Sequence, residues 1–288
     1  MEIFLLTCST VPFLYEDDHI LLEELRSLGL KAKPVVWDDP LVDWSNAGAC
    51  IFRSVWDYHL RHTEFLDWLQ RAAEKTQFYN SPEMVIWNSH KSYLRQLEEK
   101  GIQIVETAWI SGSEEIELSE LLENRSWEEA IIKPTVSASA FKTQRVSLRD
   151  MSSLISGQEL MEELSRRGEV MVQPYLWELE TNGEKSLMFI AGKYAHAVIR
   201  KAALISGRQE SAQGEVATAT PSELRFAQQV IDSLETVPLY ARVDLIADGA
   251  RGNRLIELEL IEPVLFFRHS RHAAQRMAEE IFRVAAYV

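Results

Sequence analysis

Two carboxylate-bearing apolar runs near the C-terminus constrain the chain most. The first is Ala241-Arg242-Val243-Asp244-Leu245-Ile246, and the second is Leu255-Ile256-Glu257-Leu258-Glu259-Leu260-Ile261-Glu262-Pro263. Residues 247–253 between them are rich in turn formers, so the pair reads as a β-hairpin. Charged groups inside strands are costly unless they are matched. Alternate residues of a strand share a face, so Glu257 and Glu259 project together, and Asp244 can join them if the strands pair. Three converging carboxylates repel one another unless a cation lies between them, and hard oxygen ligands favour Mg²⁺. The competing reading is a hairpin with a solvated polar face.

The remaining chain supplies the frame. Its 288 residues are enough for one large or two to three small lobes. Hydrophobic residues make up 46%, which fits a folded globular protein. A net charge of −14 argues against a nucleic-acid binder. Cys8 and Cys50 are too few for a disulfide framework and read as buried thiols of a cytoplasmic protein. No signal peptide is visible, and no apolar run approaches the roughly 18 residues of a membrane span.

From the N-terminus, strand-like runs at 2–8, 33–37, 49–53 and 78–80 alternate with helical patterns at 18–28 and 62–75, with Thr63 as a cap. This order predicts an α/β lobe with a mostly parallel sheet. Ligands bind beyond the C-terminal ends of such strands, which marks the loops at 9–18 and 54–60. Arg53, Trp56, Asp57 and Tyr58 are the substrate-site candidates there, and their mixed charge suits a small zwitterion. A local surface pair is the alternative for Arg53 and Asp57.

Helices are expected across 81–100, broken in the middle, with short strands at 104–107 and 130–134 and an acidic helix at 113–124 between them. The run 135–143 is small and hydroxylic, with Ser137 and Ser139 placed to approach phosphates; a plain hairpin turn has the same composition. A helix at 151–167 and a strand over 169–176 follow, then a hairpin over 184–201. Residues 202–219 are long for a structureless loop and read as a lid, ahead of a helix at 221–233. A closing helix is expected at about 270–286. His269 and His272 read as a surface cluster.

Several motifs in this order resemble the ATP-grasp superfamily, in the branch of glutathione synthetase and the ribosomal-protein-modifying ligases. They are Trp87-Asn88 with Lys91 and Leu94, Ile132-Lys133-Pro134, Gln173-Pro174-Tyr175-Leu176, Gly183-Glu184-Lys185-Ser186-Leu187, Arg242-Val243-Asp244, and Glu257-Leu258-Glu259 ahead of Glu262-Pro263. The resemblance implies an ATP-grasp fold behind the N-terminal lobe, divided as 1–82, 83–170 and 171–288. It implies Lys91 and Lys133 on ATP phosphates, and Gln173, Pro174, Tyr175 and Leu176 around adenine. Glu184 would face the ribose, with Glu178 or Glu180 as alternatives, and Asp244, Glu257 and Glu259 would hold Mg²⁺. The chain departs from many members by having Glu259 in place of asparagine and no glycine in its phosphate loop.

The activity so implied is ATP-dependent ligation of a carboxylate to an amine through an acylphosphate, on an amino-acid-like small molecule. Arg242, Arg200 and Lys201 are the catalytic candidates at the anionic centre, and Arg208 is a further one on the lid. No nucleic-acid or membrane partner is expected, and a homodimer is the family default. A small-molecule kinase on the same fold and a nucleotide-binding regulatory module are the alternatives. A kinase would leave no free phosphate, and a pure binding module would not need every metal ligand.

Overall fold

A computed structural model describes residues 2–112, 116–138, 140–201, 213–247 and 252–285. The N-terminal lobe contains β1 (Glu2–Thr7), α1 (Asp18–Ser27), β2 (Lys31–Val36), β3 (Ala47–Ser54), α2 (His62–Ala73) and β4 (Phe78–Tyr79). Its four strands are parallel in the order β2-β1-β3-β4. β1 is apolar almost throughout because both faces of the sheet are covered. Ile3 and Leu5 pack toward α1, while Phe4 and Leu6 pack toward Phe65, Trp68 and Leu69 of α2. Cys8 and Cys50 are both buried and free. Thr63 does not cap α2; the helix starts one residue earlier, and its N-cap residue Arg61 has no side-chain cap bond.

The chain then forms α3 (Pro82–Asn88), capped by Ser81, and α4 (Tyr93–Glu99), which stops at the positive-φ Gly101. The central lobe follows with β5 (Ala108–Ile110), α5 (Leu118–Asn124), β6 (Glu129–Pro134), β7 (Gln144–Ser147), α6 (Met151–Ser165) and β8 (Val170–Pro174). Its antiparallel sheet runs β5-β8-β6-β7. Two expectations change here. The run 104–107 is no strand of this sheet: Ile104 bridges Leu255 instead, and the strand lies at 108–110. The run 135–143 connects β6 to its hairpin partner, one of its two expected readings, but the partner strand β7 was not expected. The acidic helix begins only at Leu118, and 113–115 lie outside the described residues.

The last lobe contains α7 (Glu178–Asn182), β9 (Glu184–Ile190), β10 (Lys193–Arg200), β11 (Glu215–Ala217), α8 (Pro221–Asp232), β12 (Tyr240–Ala247), β13 (Asn253–Glu259) and α9 (Arg271–Ala285). Its antiparallel sheet runs β11-β10-β9-β12-β13. A full capping box between Thr220 and Glu223 starts α8. The lid expected at 202–219 is described only from 213, where β11 continues the sheet; Arg208 lies outside the described residues. The closing helix α9 packs back on α1 of the first lobe and shares a core with Met188, Ile190 and Tyr240. Because β8 pairs with β5 and β6, a boundary at 170 would cut a strand of the central sheet. We propose to place that boundary after Pro174.

Candidate active site

The three lobes enclose a cavity of about 890 Å³, within the roughly 300–1,000 Å³ usual for ligand sites. Trp56 and Tyr58 reach it from the loop after β3, while Lys133, Ser137 and the 173–176 segment come from the central lobe. Glu184, Arg200, Arg242, Glu257 and Glu259 come from the last lobe, and Lys91 from the turn between α3 and α4.

The carboxylate hairpin forms as its sequence pattern requires. Arg242 lies opposite Glu259 and Asp244 opposite Glu257, with a register shift after Asp244. Leu258 packs in a core cluster, and Ile256, Glu257, Leu258 and Glu259 all contribute to the cavity lining. Side chains from α3 and α4 fix this register from outside. The Asn88 amide donates to the Leu258 carbonyl (2.8 Å) and its oxygen accepts from the Leu260 N–H (2.9 Å). The Tyr93 hydroxyl accepts from the Leu258 N–H at 2.9 Å. The tryptophan–asparagine motif thus positions the strand that carries the acids.

The charges do not converge as one acidic triad. Asp244 is fully buried and accepts from Ser186 Oγ (2.6 Å), Arg200 Nη2 (2.7 Å), and Arg242 Nε (2.9 Å) and Nη2 (2.8 Å). Burial alone would raise its carboxyl, but the two guanidinium groups outweigh burial and hold it well below the usual range. Arg200 also binds Glu184 at 2.9 Å, and Arg242 also binds Glu259. Lys91 binds Glu257 and donates to the Ser137 carbonyl at 2.9 Å. Burial pushes the Glu184 and Glu259 carboxyls up to about 7, against the pull of the arginines. Burial lowers Lys133 to about 8, which Glu257 partly opposes.

Among the described residues no group of three or more His, Cys, Asp or Glu is arranged to hold a metal ion. Asp244 does not line the cavity, and Arg200 and Arg242 neutralise it. Glu257 and Glu259 do line it. Although Lys91 pairs with one and Arg242 with the other, the two carboxylates face the cavity together and fit a divalent cation shared with phosphate oxygens.

The segment after β8 behaves as an apolar wall with fixed backbone. Gln173 donates to the Thr107 hydroxyl at 2.8 Å, and the Tyr175 N–H donates to the Glu129 carbonyl at 2.9 Å. Arg145 lies over the Tyr175 ring at 3.8 Å. Glu180 does not line the cavity; it is held by Tyr175 and Arg145. Val105, Ile131 and Ile256 complete the apolar wall, and no sequence motif marked them.

Of the substrate candidates, Trp56 and Tyr58 line the cavity and Arg53 and Asp57 do not. Arg53 is fully buried, donating to Asp18 (2.8 Å) and to the Pro263 carbonyl (2.8 Å) across the lobe junction. Asp57 accepts from Trp37 Nε1 at 2.8 Å and pairs with Arg61. Lys201 is exposed and outside the cavity wall, and Ser139 lies outside the described residues. Tyr15, from the 9–18 loop marked as a substrate candidate, lines the cavity too, as do Glu262 and Arg268, to which no motif gave a role, and His269, which was expected at the surface.

A parallel-sheet lobe followed by two antiparallel sheets that close on a lysine- and carboxylate-lined cleft is the ATP-grasp architecture, and the protein is an ATP-dependent, C–N bond-forming ligase on that fold. Residues 3–80 match the family model of the N-terminal domain of the D-cycloserine synthetase DcsG. The cycloserine biosynthesis protein DcsG of Streptomyces lavendulae is 28% identical over 274 residues, covering 91% of each chain. The crystal structure of D-cycloserine synthetase DcsG superposes with a TM-score of 0.88 at 26% identity, covering 99% of this chain and 100% of that one. A RimK-domain ATP-grasp protein from Sphaerobacter thermophilus shares the fold, with a TM-score of 0.70 at 15% identity over 97% and 98% of the two chains.

Proposed function

We propose that this ligase activates the carboxylate of a small amino-acid-like substrate as an acylphosphate and joins it to an amine, with release of ADP and phosphate. One observation carries the reading: Lys91, Lys133, Arg242, Glu257 and Glu259 share the wall of one cavity that the three lobes close. In the first step a substrate carboxylate oxygen attacks the γ-phosphorus of ATP and ADP leaves. In the second an amine attacks the acyl carbon and phosphate leaves, taking the bonding pair of the acyl C–O bond. Both steps gather negative charge, so positioning and cationic stabilisation do most of the work.

In this reading Lys133 and Lys91 hold phosphate oxygens, with Lys91 kept in place by Glu257 and the Ser137 carbonyl. Arg242 faces the centre where charge accumulates, oriented by its bonds to Asp244. Arg200 holds Asp244 and Glu184 and so acts as a positioning residue; Lys201 takes no part. Glu257 and Glu259 would hold Mg²⁺, which when bound neutralises phosphate charge. Gln173 to Leu176 form the adenine wall. Glu184 remains the ribose candidate because it lines the cavity and Glu180 does not.

The similarity to D-cycloserine synthetase favours a substrate in which carboxylate and nucleophile belong to one small molecule. The acidic net charge supports the absence of a nucleic-acid partner. No described helix is long and apolar enough to cross a membrane. A cytoplasmic location and a homodimer are parts of the same reading, and light scattering checks the dimer.

The test is an ADP-release screen over amino acids, their ester and amide derivatives, and amines, with mass spectrometry of products. Ligation leaves ADP, free phosphate and a condensed product. A phosphorylated product without free phosphate would make the enzyme a kinase. Lys133→Ala should lower ATP turnover by about a hundredfold or more, the scale of a lost electrostatic contact to the transferring group; unchanged turnover removes its phosphate role.

A further inference from the structure

Glu262 sits just beyond β13, where the last lobe meets the first. Three consecutive carbonyls around it are pinned by three side chains. Tyr240 Oη donates to Ile261 (2.7 Å), Trp56 Nε1 to Glu262 (3.1 Å) and Arg53 Nη2 to Pro263 (2.8 Å). The backbone is therefore fixed, and the side chain stays where the fold puts it.

That side chain is only 9% exposed, and it lines the cavity. It has no hydrogen bond or ion pair among the described residues. The cations that act on it at longer range are committed elsewhere: Lys91 to Glu257, and Arg242 to Asp244 and Glu259. A buried carboxylate with no donor is costly. Its surroundings do not reduce that cost, because Glu257 and Glu259 lie on the same cavity wall. Aromatic rings are among its neighbours. Trp56 and Tyr58 line the cavity, and Tyr15 packs on Trp56 with ring centroids 5.2 Å apart. Ring faces and an unpaired carboxylate together are the chemistry that receives an organic cation.

We propose that Glu262, walled by Trp56 and Tyr58, is the site that binds the ammonium group of the substrate. The inference rests on the ligase reading and extends it: it separates the substrate's cationic end, at the lobe junction, from its carboxylate, which must face the phosphates. A third ligand for Mg²⁺ is the competing use of the same carboxylate. The aromatic wall favours the ammonium, since rings offer nothing to a hydrated divalent ion.

The test is calorimetric titration of the full chain in Mg²⁺ and a non-hydrolysable ATP analogue. The probes are D- and L-alanine and D- and L-serine, each beside its N-acetyl counterpart. At least one free amino acid should bind, and its N-acetylated form should bind about tenfold more weakly or worse, the scale of a lost charge-assisted hydrogen bond. Glu262→Gln should cost the free amino acid about the same factor while leaving nucleotide and Mg²⁺ affinity unchanged. Glu262→Asp, which keeps the charge and shortens its reach, should fall between the two. Equal binding of acetylated and free forms, no binding of any probe, or loss of Mg²⁺–nucleotide affinity in Glu262→Gln overturns the proposal. Turnover is read separately. Amino-acid binding that depends on Glu262, with no ATP turnover, would retain this inference and remove the ligase reading. Turnover with unaltered affinity in Glu262→Gln would do the reverse.

Discussion

Arg242 and Asp244, two residues apart on one strand face, form a two-bond pair through Nε (2.9 Å) and Nη2 (2.8 Å). Arg200 closes the other side of the same carboxylate at 2.7 Å. This makes Asp244 a source of pH-dependent stability. Its folded-state carboxyl lies below its ordinary value, so its contribution is fully present above about pH 4 and is lost as pH falls through the folded value. Asp244→Asn should therefore destabilise the fold by roughly 3–5 kcal/mol at neutral pH. The deficit should shrink in increasingly acid solution. Urea unfolding at pH 7 and at several values below 4 reads both, and a pH-independent deficit would contradict the ion-pair account.

Lys133 predicts a limit on nucleotide binding at the alkaline side. Burial brings its amine to about 8, with Glu257 and Glu184 pulling it up and Lys91 pushing it down. The free enzyme therefore loses the positive charge as pH rises through that value. Mg²⁺–ATP affinity should weaken progressively above pH 8, and Lys133→Arg should flatten the slope because guanidinium stays charged. Titration calorimetry between pH 7 and 9.5 measures it; a flat profile in the wild type would remove Lys133 from the phosphate contact.

Asn88 lines the cavity and should also matter through the strand it holds. Alanine there removes two hydrogen bonds and leaves the Leu260 N–H and Leu258 carbonyl without those partners. The cost should be about 2–4 kcal/mol. Because the register of Glu257 and Glu259 depends on this clamp, Mg²⁺ affinity should fall alongside Tm. A variant that unfolds earlier yet binds Mg²⁺–nucleotide normally would show that β12 alone sets the register.

Arg53 should behave as a strut between lobes. Arg53→Ala strands Asp18 as a buried charge, at a cost of roughly 3–5 kcal/mol. Arg53→Met combined with Asp18→Asn should recover part of that loss. Unfolding curves for the single and double variants test this. Near-normal stability of Arg53→Ala, with a raised substrate KM, would return Arg53 to the substrate.

Much of this architecture could be read from the chain. The unbroken apolar run of β1 and the glycine stop after α1 fix the first lobe, and the alternation Glu257-Leu258-Glu259 fixes which acids face the cavity. What could not be read was partnership at long range. The charge types of Arg53 and Asp57 look like those of a zwitterion site, yet their partners are Asp18 and the Pro263 carbonyl for one and Trp37 and Arg61 for the other. Asp244 carries the same ambiguity: a strand carboxylate facing a metal and one facing two arginines have the same local pattern. Ile104-Val105 has strand composition but is used in a bridge to Leu255, so the true strand β5 begins four residues later. Glu262 was visible beside Pro263, but only its missing partner in three dimensions gives it meaning.

The clamp on β13 has a second effect. This strand ends its sheet, and an edge strand offers a row of unused backbone groups to any other extended chain. Here that row is occupied. Leu255 exchanges bonds with Gln103 and Val105, and Leu258 and Leu260 are bound by Tyr93, Asn88 and, through the Leu260 carbonyl, Asn80. Side chains and a short stretch of loop replace a sixth strand. The strand that presents the acids is thereby closed to self-association, without the sheet having to curl into a barrel.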